Sequence, residues 1–265
     1  MIRGVDTAAR ITAETAKKLY AEGYRFVGRY LVPASGGTKW KALTVAESRD
    51  IRDAGLAILL IWEIEADRAK RGAEIGTQDG VKARELAKAM NVPNGTAVFF
   101  AVDYDAPIKD YEAIARYFAA AKAAVYPFSI GVYAPPSLVS RLSDIVPYRW
   151  ETYAWCYGST SPVKTAKQTD YQDGKDAKAL TELVKIPVDL DEAVSLAGMW
   201  RSNVYEDGDG TIIDYSGGSV QTESDAVRWA RGLGITTNSE IAEALWKYHC
   251  IYIADDAKTE SGLLT

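Results

Sequence analysis

The sequence predicts an α/β protein built on a modified TIM-type (β/α) barrel. Up to about residue 133, short apolar runs alternate with amphipathic helical patterns, which is typical of a parallel sheet covered by helices. After that point, three strand candidates are packed into about 60 residues, which leaves no room for three more complete βα units. Five βα units followed by three helix-poor strands would close a barrel of this kind.

The first part of the chain contains recognisable helix starts and stops between its apolar runs. Thr12 and Thr44 are N-cap residue types at the starts of two helical patterns, and Glu47 follows Thr44 at the capping-box distance. Gly23 and Gly55 mark the ends of the same helices. The predicted strands cover 2–6, 24–31, 56–63, 96–105 and 128–135, and the predicted helices cover 12–23, 44–55, 77–93 and 108–125.

The second part of the chain has a different organisation. Its three strand candidates are RWETYAWCYG (149–158), KQTDYQD (167–173) and IPVDLDEA (186–193), so we expect a barrel domain over residues 1–197. The next stretch, VYEDGDGTIIDYSGGS, is rich in turn residues and is typical of a hairpin or linker. Two or three short amphipathic helices are expected after it. Residues 198–265 are therefore interpreted as a small, mainly helical C-terminal module.

Composition argues against several classes of function. The net charge is −5 and no dense Lys/Arg run is present, so we expect no nucleic-acid partner. The only two cysteines lie far apart, which excludes a disulfide framework. The sole histidine, His249, is too little for a Ser-His-Asp triad elsewhere or for a His-rich zinc site. Chemistry is therefore expected from carboxylates, Tyr, Lys or the backbone, without a metal ion or cofactor.

The N-terminal sequence bears on where the protein is expected to act. MIRGVDTAAR lacks the apolar core of a signal peptide, and no segment approaches the ~20 apolar residues of a membrane span. We expect synthesis in the cytoplasm without a signal peptide or membrane span. If the protein acts outside the cell, another protein must release it.

Acidic residues occur at the ends of several predicted strands. In a parallel barrel the C-terminal strand ends form one rim, where active sites lie. The alternative for Asp189 and Asp191 is that they cap a final helix. The acids at these ends are Asp6, Glu63, Asp103, Asp105, Asp189 and Asp191. The pattern predicts a carboxylate site at the rim.

Asp103 and Asp105 close the fourth predicted strand as a pair. Residues i and i+2 of a strand point to the same side, with Cα atoms roughly 6.5–7 Å apart. Carboxyl groups ~5–9.5 Å apart serve as acid and base, or acid and nucleophile, in glycoside hydrolysis. Two acids in one pocket also push their pKa values apart, so that one remains protonated. The alternative is that Asp105 caps the following loop and only Asp103 faces the barrel.

Other residues at the strand ends are suited to a sugar ligand. Aromatic rings offer flat apolar faces to a pyranose ring, although each ring could equally be part of ordinary barrel packing. Arg29 and Gln172 offer hydrogen-bond donors. The aromatic candidates are Tyr30, Trp62, Tyr133, Trp155 and Tyr157, and Asp189 is added to this substrate-binding set.

Taken in order, the strand-end motifs resemble one known family. They are GVD at 4–6, FVGRYL at 26–31, IWE at 61–63, FFAVDYD at 99–105, IGVY at 130–133, YAWC at 153–156, DYQ at 170–172 and VDLDEA at 188–193. This set resembles the glycoside-hydrolase-like domain called domain of unknown function 1906. That family is similar in turn to the family 25 lysozymes, and the resemblance covers residues 1 to about 197.

The resemblance implies a peptidoglycan glycosidase of a kind common in phage endolysins. In family 25 the fourth strand ends in Asp-x-Glu, with the Glu as general acid, whereas here it ends in Asp103-Tyr104-Asp105. The shorter side chain places its carboxyl about one methylene further from the scissile oxygen, a distance that matters for catalysis. Glu63 could act as the acid instead. Asp6 and Asp189 match rim acids of the lysozymes.

The C-terminal tail has a weaker resemblance to the small helical modules of phage lysins. That resemblance implies wall targeting, or self-association into a homo-oligomer. A phage or prophage origin would also supply a holin, which could release the protein to the bacterial cell wall.

Two functions are consistent with these observations. The first is a lysozyme- or muramidase-like endolysin that cleaves a β-1,4 bond with catalytic residues among Asp6, Glu63, Asp103 and Asp105. The second is a wall-binding barrel that keeps the sugar groove but lacks an effective acid. Retention or inversion depends on the carboxylate separation and stays open at this point.

Overall fold

The computed structural model of the protein describes residues 1–201, 204–206 and 212–214. Its central feature is a closed barrel in which eight strands follow one another in chain order. The strands are β1 Ile2–Asp6, β2 Phe26–Tyr30, β3 Ala57–Trp62, β4 Ala97–Ala101, β5 Ser129–Ala134, β6 Tyr148–Glu151, β7 Ala166–Asp170 and β8 Asp189–Ala193. The predicted α/β barrel is confirmed.

Within residues 1–201, six α-helices accompany the barrel. They are α1 Ala13–Ala21, α2 Val45–Asp53, α3 Ala73–Ala89, α4 Tyr111–Val125, α5 Pro136–Arg141 and α6 Lys175–Val184. The first five follow β1 to β5, which gives the five expected βα units. Thr12 and Thr44 are the N-caps of α1 and α2, and their hydroxyl oxygens accept the backbone N–H groups of Thr15 and Glu47, each at 3.2 Å. None of the described helices is long and apolar enough to cross a lipid bilayer.

Helix α6, between β7 and β8, was not predicted. Its buried residues Ala177, Leu180 and Val184 are spaced three and four apart, the spacing of one helix face. The expectation of consecutive helix-poor strands left no room for this helix. The expectation of helix-poor strands is correct for β6 and β7, because the described chain has no α-helix between these two strands.

Strand β8 runs antiparallel to both of its neighbours, β1 and β7, whereas the other neighbouring strands are parallel. Asp189 pairs with Asp6 and Asp191 pairs with Gly4. A reversed strand brings its first residue to the rim where the others end. Asp189 therefore lies at the rim because it begins β8, not because it ends a parallel strand. The alternative that these acids cap a final helix is wrong, because residues 194–201 contain no helix.

Alternation along each strand divides the side chains between the barrel interior and the helix layer. The exterior side chains of the strands pack against the helices in one large apolar core. The lower interior is apolar as well, and the Phe99 and Trp150 rings meet edge to face with centroids 6.3 Å apart. This packing supports the polar side chains that face inward at the C-terminal end of the barrel, called the barrel mouth below.

After β8, the chain stays at the end of the barrel opposite the mouth. The Gly198 carbonyl accepts the N–H of Ala97 at 2.7 Å, and Trp200 forms a bridge with Ile58. The compact unit therefore runs from Met1 to Arg201, past the boundary predicted at residue 197.

Beyond this unit, two short strands are described, β9 Val204–Glu206 and β10 Ile212–Asp214. They pair antiparallel, within the stretch that the sequence marks as a hairpin or linker. The short helices expected further along, together with His249, lie outside the described residues. The C-terminal module stays a prediction.

Candidate active site

The barrel mouth brings together acids that are far apart in the sequence. Asp6 ends β1, Asp189 begins β8, Glu63 follows β3 by one residue and Asp103 follows β4 by two. All four surround the half-buried Tyr30. Burial raises the pKa of the Tyr30 hydroxyl well above its usual range, and the charges of these four carboxylates raise it further. The closed barrel thus converges four carboxyl groups around one ring.

Gln168, an inward-facing residue of β7, connects two of these acids. Its Nε2 donates to Asp6 Oδ2 at 3.0 Å and to Asp189 Oδ2 at 2.9 Å. Its Oε1 accepts hydrogen bonds from the Tyr133 hydroxyl and the Tyr153 backbone N–H, both at 3.2 Å. Because both ends of the amide are engaged, its orientation and the positions of the two carboxylates are fixed.

Asp191 lies deeper in the barrel, below Asp189 on the same face of β8. Its Oδ1 accepts the indole N–H of Trp150 at 2.9 Å, whereas Oδ2 is buried without a hydrogen-bond donor in the described chain. If Asp6 and Asp191 were both ionised, neither carboxylate could donate a hydrogen bond to the other. A proton on Asp191 supplies one and allows a hydrogen bond to Asp6. Asp6, Gln168, Asp189 and Asp191 are called the buried acid cluster below.

Burial is the main cause of the raised pKa of all three acids in this cluster. The pKa of Asp6 rises to about 8, with the Asp189 charge as the second cause. The pKa of Asp191 lies well above its usual range, because burial and the Asp6 charge both oppose ionisation. Gln168 and Trp150 oppose these rises, but both are neutral donors. The cluster therefore holds at least one proton at neutral pH.

Asp103 and Glu63 form a second group, called the open acid pair below. Burial is the largest cause of the raised pKa of Asp103, and the Glu63 charge raises it further. The Trp155 indole N–H donates to Asp103 Oδ1 at 3.1 Å and opposes the rise, as does Lys41. Both acids are half-buried, so a ligand in the mouth can reach them.

Lys41 provides the positive charge at this group. Its Nζ lies 2.7 Å from Glu63 Oε2 and 4.3 Å from the centroid of the Tyr30 ring. The open acid pair therefore combines a carboxylate in an ion pair with Lys41 and an acid, Asp103, whose raised pKa makes it retain its proton more readily than usual.

The expected pairing of Asp103 with Asp105 does not form at the mouth. Asp105 is exposed, and its Oδ2 accepts the hydroxyl of Tyr157 at 2.8 Å. Strand β4 ends at Ala101, so both acids lie in a loop, where the rule that residues i and i+2 share a face does not hold. Only Asp103 faces the barrel, as in the alternative interpretation, and its acidic neighbour is Glu63.

Arg29 and Trp62 face the helix layer and not the mouth. Arg29 is fully buried, with its Nε 2.7 Å from Glu47 Oε1 and its Nη1 donating to the Thr7 carbonyl at 2.6 Å. Trp62 is 3% exposed and packs against Phe100. Each precedes an inward-facing residue, so strand alternation turns its side chain outward. The expectation that they contact a sugar is wrong.

The remaining candidates have different positions. Tyr133 is 9% exposed, and its hydroxyl oxygen lies 2.8 Å from the Thr152 hydroxyl, so it supports the mouth from within. Gln172 contributes its backbone N–H, which donates to Asp189 Oδ1 at 2.6 Å, and not its side chain. Trp155 is half-buried beside Asp103, and Tyr157 is exposed.

Gln168, Lys41 and Trp150 are mouth residues that the sequence analysis missed. Gln168 lies within the predicted strand 167–173, but Gln172 was assigned to the rim, whereas β7 ends at Asp170 and turns Gln168 inward. Trp150 likewise lies on a predicted strand, at an inward position that only the barrel register reveals. Lys41 comes from the connection between β2 and α2, where no periodic pattern indicates a direction.

The barrel is similar to a known protein family and to solved structures. The model of the Rv2525c-like, glycoside hydrolase-like domain matches residues 17–193, more than half of the chain. Among solved structures, the Tat-secreted protein Rv2525c of Mycobacterium tuberculosis superposes with a TM-score of 0.62 at 21% identity, covering 75% of this chain and 98% of that one. At this identity the superposition establishes the shared fold.

Two curated relatives come from Bacillus subtilis (strain 168). The uncharacterized protein YbfG is 38% identical over 155 residues, which cover 52% of this chain and 21% of YbfG. The uncharacterized protein FadG is 31% identical over 147 residues, which cover 52% of this chain and 25% of FadG. The matched region thus spans a quarter or less of either relative. With the family model matching over the barrel, the chain belongs to the Rv2525c-like family of glycoside hydrolase-like domains.

Proposed function

We propose that this barrel is a glycosidase that cleaves a β-1,4 bond of a peptidoglycan glycan, with Asp103 as general acid and Glu63 as the second carboxylate. The open acid pair is the observation that carries the proposal. Glycoside hydrolysis needs one protonated and one ionised carboxyl group at the same bond. Asp103 has a raised pKa, and Glu63 is ion-paired with Lys41. Membership of a glycoside hydrolase-like family supports the same reaction class.

The proposed reaction begins with proton transfer from Asp103 to the glycosidic oxygen. The C1–O bond breaks, and the leaving sugar departs with the proton as a hydroxyl. Glu63 either accepts a proton from the attacking water or attacks C1 itself, according to its separation from Asp103 on the substrate. Trp155 occupies Asp103 Oδ1, and no group within residues 1–201 bonds Oδ2, which leaves that oxygen for the proton.

The buried acid cluster has a supporting role in this proposal. Asp189 is half-buried, and its charge acts on the pKa of Tyr30, at the centre of the mouth. A negative charge at this position stabilises the positive charge that develops on the sugar ring. Gln168 and the Gln172 backbone N–H fix the Asp189 carboxylate, so little reorganisation is needed during the reaction.

Peptidoglycan is proposed as the substrate because the ordered strand-end motifs resemble a family related to peptidoglycan-cleaving lysozymes. In this proposal the protein acts at the bacterial cell wall after release by a holin or by lysis. Residues 198–265 would then serve wall targeting or self-association.

Mass spectrometry of fragments released from purified peptidoglycan tests the proposed activity. The wild-type chain is expected to release fragments with new reducing ends, and Asp103→Asn is expected to release none while still sedimenting with the wall. Asp144→Asn is the matched control, because Asp144 is an exposed acid just before β6, at the end of the barrel opposite the mouth. Equal release by wild type and Asp103→Asn would contradict the assignment of the acid.

The position of Asp105 favours a second candidate function, a wall-binding barrel without catalysis. This residue occupies the position of the lysozyme general acid in the resemblance, yet it is exposed and hydrogen-bonded to Tyr157. If the open acid pair does not replace it, the mouth would bind a glycan without cleaving it. The same experiment separates the two functions, because a binder sediments with the wall and releases no fragments in any variant.

A further inference from the structure

Two exposed tyrosines form a ring pair beside the barrel mouth. Tyr153 lies in the loop after β6 and Tyr171 in the loop after β7, and their ring centroids are 5.7 Å apart with an angle of 36° between the planes. The side chains nevertheless remain 41% and 46% exposed. Neither hydroxyl has a hydrogen-bond partner within residues 1–201. The two loops thus present one aromatic surface with free polar groups.

Hydrogen bonds tie this surface to the buried acid cluster. The Tyr153 backbone N–H donates to Gln168 Oε1 at 3.2 Å, and the Gln168 amide donates in turn to Asp189 at 2.9 Å. Directly after Tyr171, the Gln172 backbone N–H donates to Asp189 Oδ1 at 2.6 Å. Each tyrosine is therefore held next to a group that bonds the Asp189 carboxylate or its Gln168 partner, and the ring pair borders the mouth on its β6–β7 side.

The Tyr171 loop is also fixed from the other side. Asp170 Oδ1 accepts the Tyr171 backbone N–H at 3.0 Å, and Asp170 Oδ2 accepts the N–H of Ala177 in α6 at 3.2 Å. An anchored loop loses little conformational freedom when a ligand binds, which favours affinity. Single exposed aromatic residues are common on protein surfaces, but this pair is preorganised and adjacent to an acid site.

The chemistry of the surface fits a pyranose ring. A sugar ring has an apolar face of C–H groups and a rim of hydroxyls, whereas tyrosine has an apolar ring and a polar tip. The neighbouring carboxylates repel an anionic ligand, so a neutral sugar suits the position. An N-acetylated amino sugar of a glycan chain meets these requirements.

We propose that Tyr153 and Tyr171 form an additional sugar-binding subsite, which stacks one N-acetylamino sugar of a glycan chain next to the bond-cleaving site. This inference rests on the proposed function, because it treats the mouth as a glycan site. The subsite extends the bound chain beyond the sugars that flank the reactive bond. Longer oligosaccharides therefore bind more tightly than a disaccharide, and the ring pair accounts for the difference.

Chitooligosaccharides of two to six N-acetylglucosamine units serve as the probe, with binding measured by calorimetry in the Asp103→Asn background to prevent turnover. Tyr153→Ala and Tyr171→Ala are each expected to weaken binding of the hexamer by about 5-fold and to leave the dimer unchanged. Tyr153→Phe and Tyr171→Phe keep the rings and are expected to retain most of the affinity. Tyr126→Ala, at a tyrosine that is 75% exposed just before β5 at the opposite end of the barrel, is the control.

Several outcomes would overturn the subsite. One is an equal loss of affinity for dimer and hexamer in the tyrosine-to-alanine variants, and another is a loss of the same size in Tyr126→Ala. A third is that Asp103→Asn binds no chitooligosaccharide although it keeps the wild-type melting temperature. The reaction is judged separately, from fragments released by the chain with Asp103 intact. If binding depends on chain length but no new reducing ends are released, the subsite is supported and the glycosidase proposal is contradicted. If fragments are released but Tyr153→Ala and Tyr171→Ala bind the hexamer as tightly as the parent protein, the glycosidase is supported and the subsite is contradicted.

Discussion

The two acid groups of the barrel mouth differ in how their negative charge is balanced. In the buried acid cluster, neutral donors such as Gln168 and Trp150 oppose the rise in pKa. In the open acid pair, Lys41 lies 2.7 Å from Glu63 and also lowers the pKa of Asp103. Buried carboxylates without a cation retain protons, whereas a cation allows one of two neighbouring acids to stay ionised. The first group is therefore suited to support and the second to proton transfer.

Glu63→Gln should have the largest effect on activity, because it removes the carboxylate that pairs with Lys41 from the open acid pair. The value of kcat/KM is expected to fall by about 100- to 10,000-fold, the usual contribution of such a group. Release of reducing ends from purified peptidoglycan measures the loss, and sedimentation with the wall checks that binding persists. Activity within tenfold of wild type would transfer the role of second carboxylate to another acid.

Asp191→Asn should stabilise the protein at higher pH. The folded state raises the pKa of Asp191, so the folded chain holds a proton that the unfolded chain releases above about pH 4. Wild-type stability from this group is present at low pH and is lost as the pH rises towards the folded pKa. Asparagine has no proton to lose, can accept from Trp150 and can donate to Asp6.

The free energy of unfolding of Asp191→Asn should therefore exceed that of wild type by about 1–3 kcal/mol at pH 8, with little difference at pH 4. Urea unfolding at both pH values measures the difference, and the exposed Asp144→Asn is the control. A difference that does not change with pH would show that the buried acid cluster holds no additional proton at Asp191.

Lys41→Met should change the pH dependence of activity. Lys41 lowers the pKa of Asp103, so its removal raises that pKa further. Asp103 acts in its protonated form, and activity is lost as the pH rises through this pKa. The alkaline limb of the profile of kcat/KM should therefore move upwards by about 0.5–1 pH unit. An unchanged alkaline limb would mean that Asp103 is not the proton donor.

Asp105→Asn should have the smallest effect. Asp105 is exposed and bonds the equally exposed Tyr157, outside both acid groups. Its substitution should change kcat/KM and the free energy of unfolding by less than about twofold and 0.5 kcal/mol, respectively. A loss comparable to that of Glu63→Gln would restore the lysozyme-like assignment, in which this position carries the general acid.

The sequence predicted the features that depend on short-range patterns. Thr12 and Thr44 are helix caps, since a cap is decided by a hydroxyl and an N–H three residues away. Continuous apolar runs indicated β3 and β4, and the acids Asp6, Glu63 and Asp103 were assigned to the correct rim. By contrast, Arg29 and Trp62 were predicted on the wrong face of their strands, because an error of one residue in locating the rim reverses the direction of a strand side chain.

The sequence by itself thus determined the barrel class, most of its strands and the presence of acids at one end. Only the tertiary structure decided which acids act together. Strand β8 reverses its direction and brings Asp189 opposite Asp6, and Gln168 joins them across 162 residues of chain. Lys41 reaches Glu63 from a loop. Such partnerships depend on barrel closure and on loop paths, and these are set by contacts between residues distant in sequence.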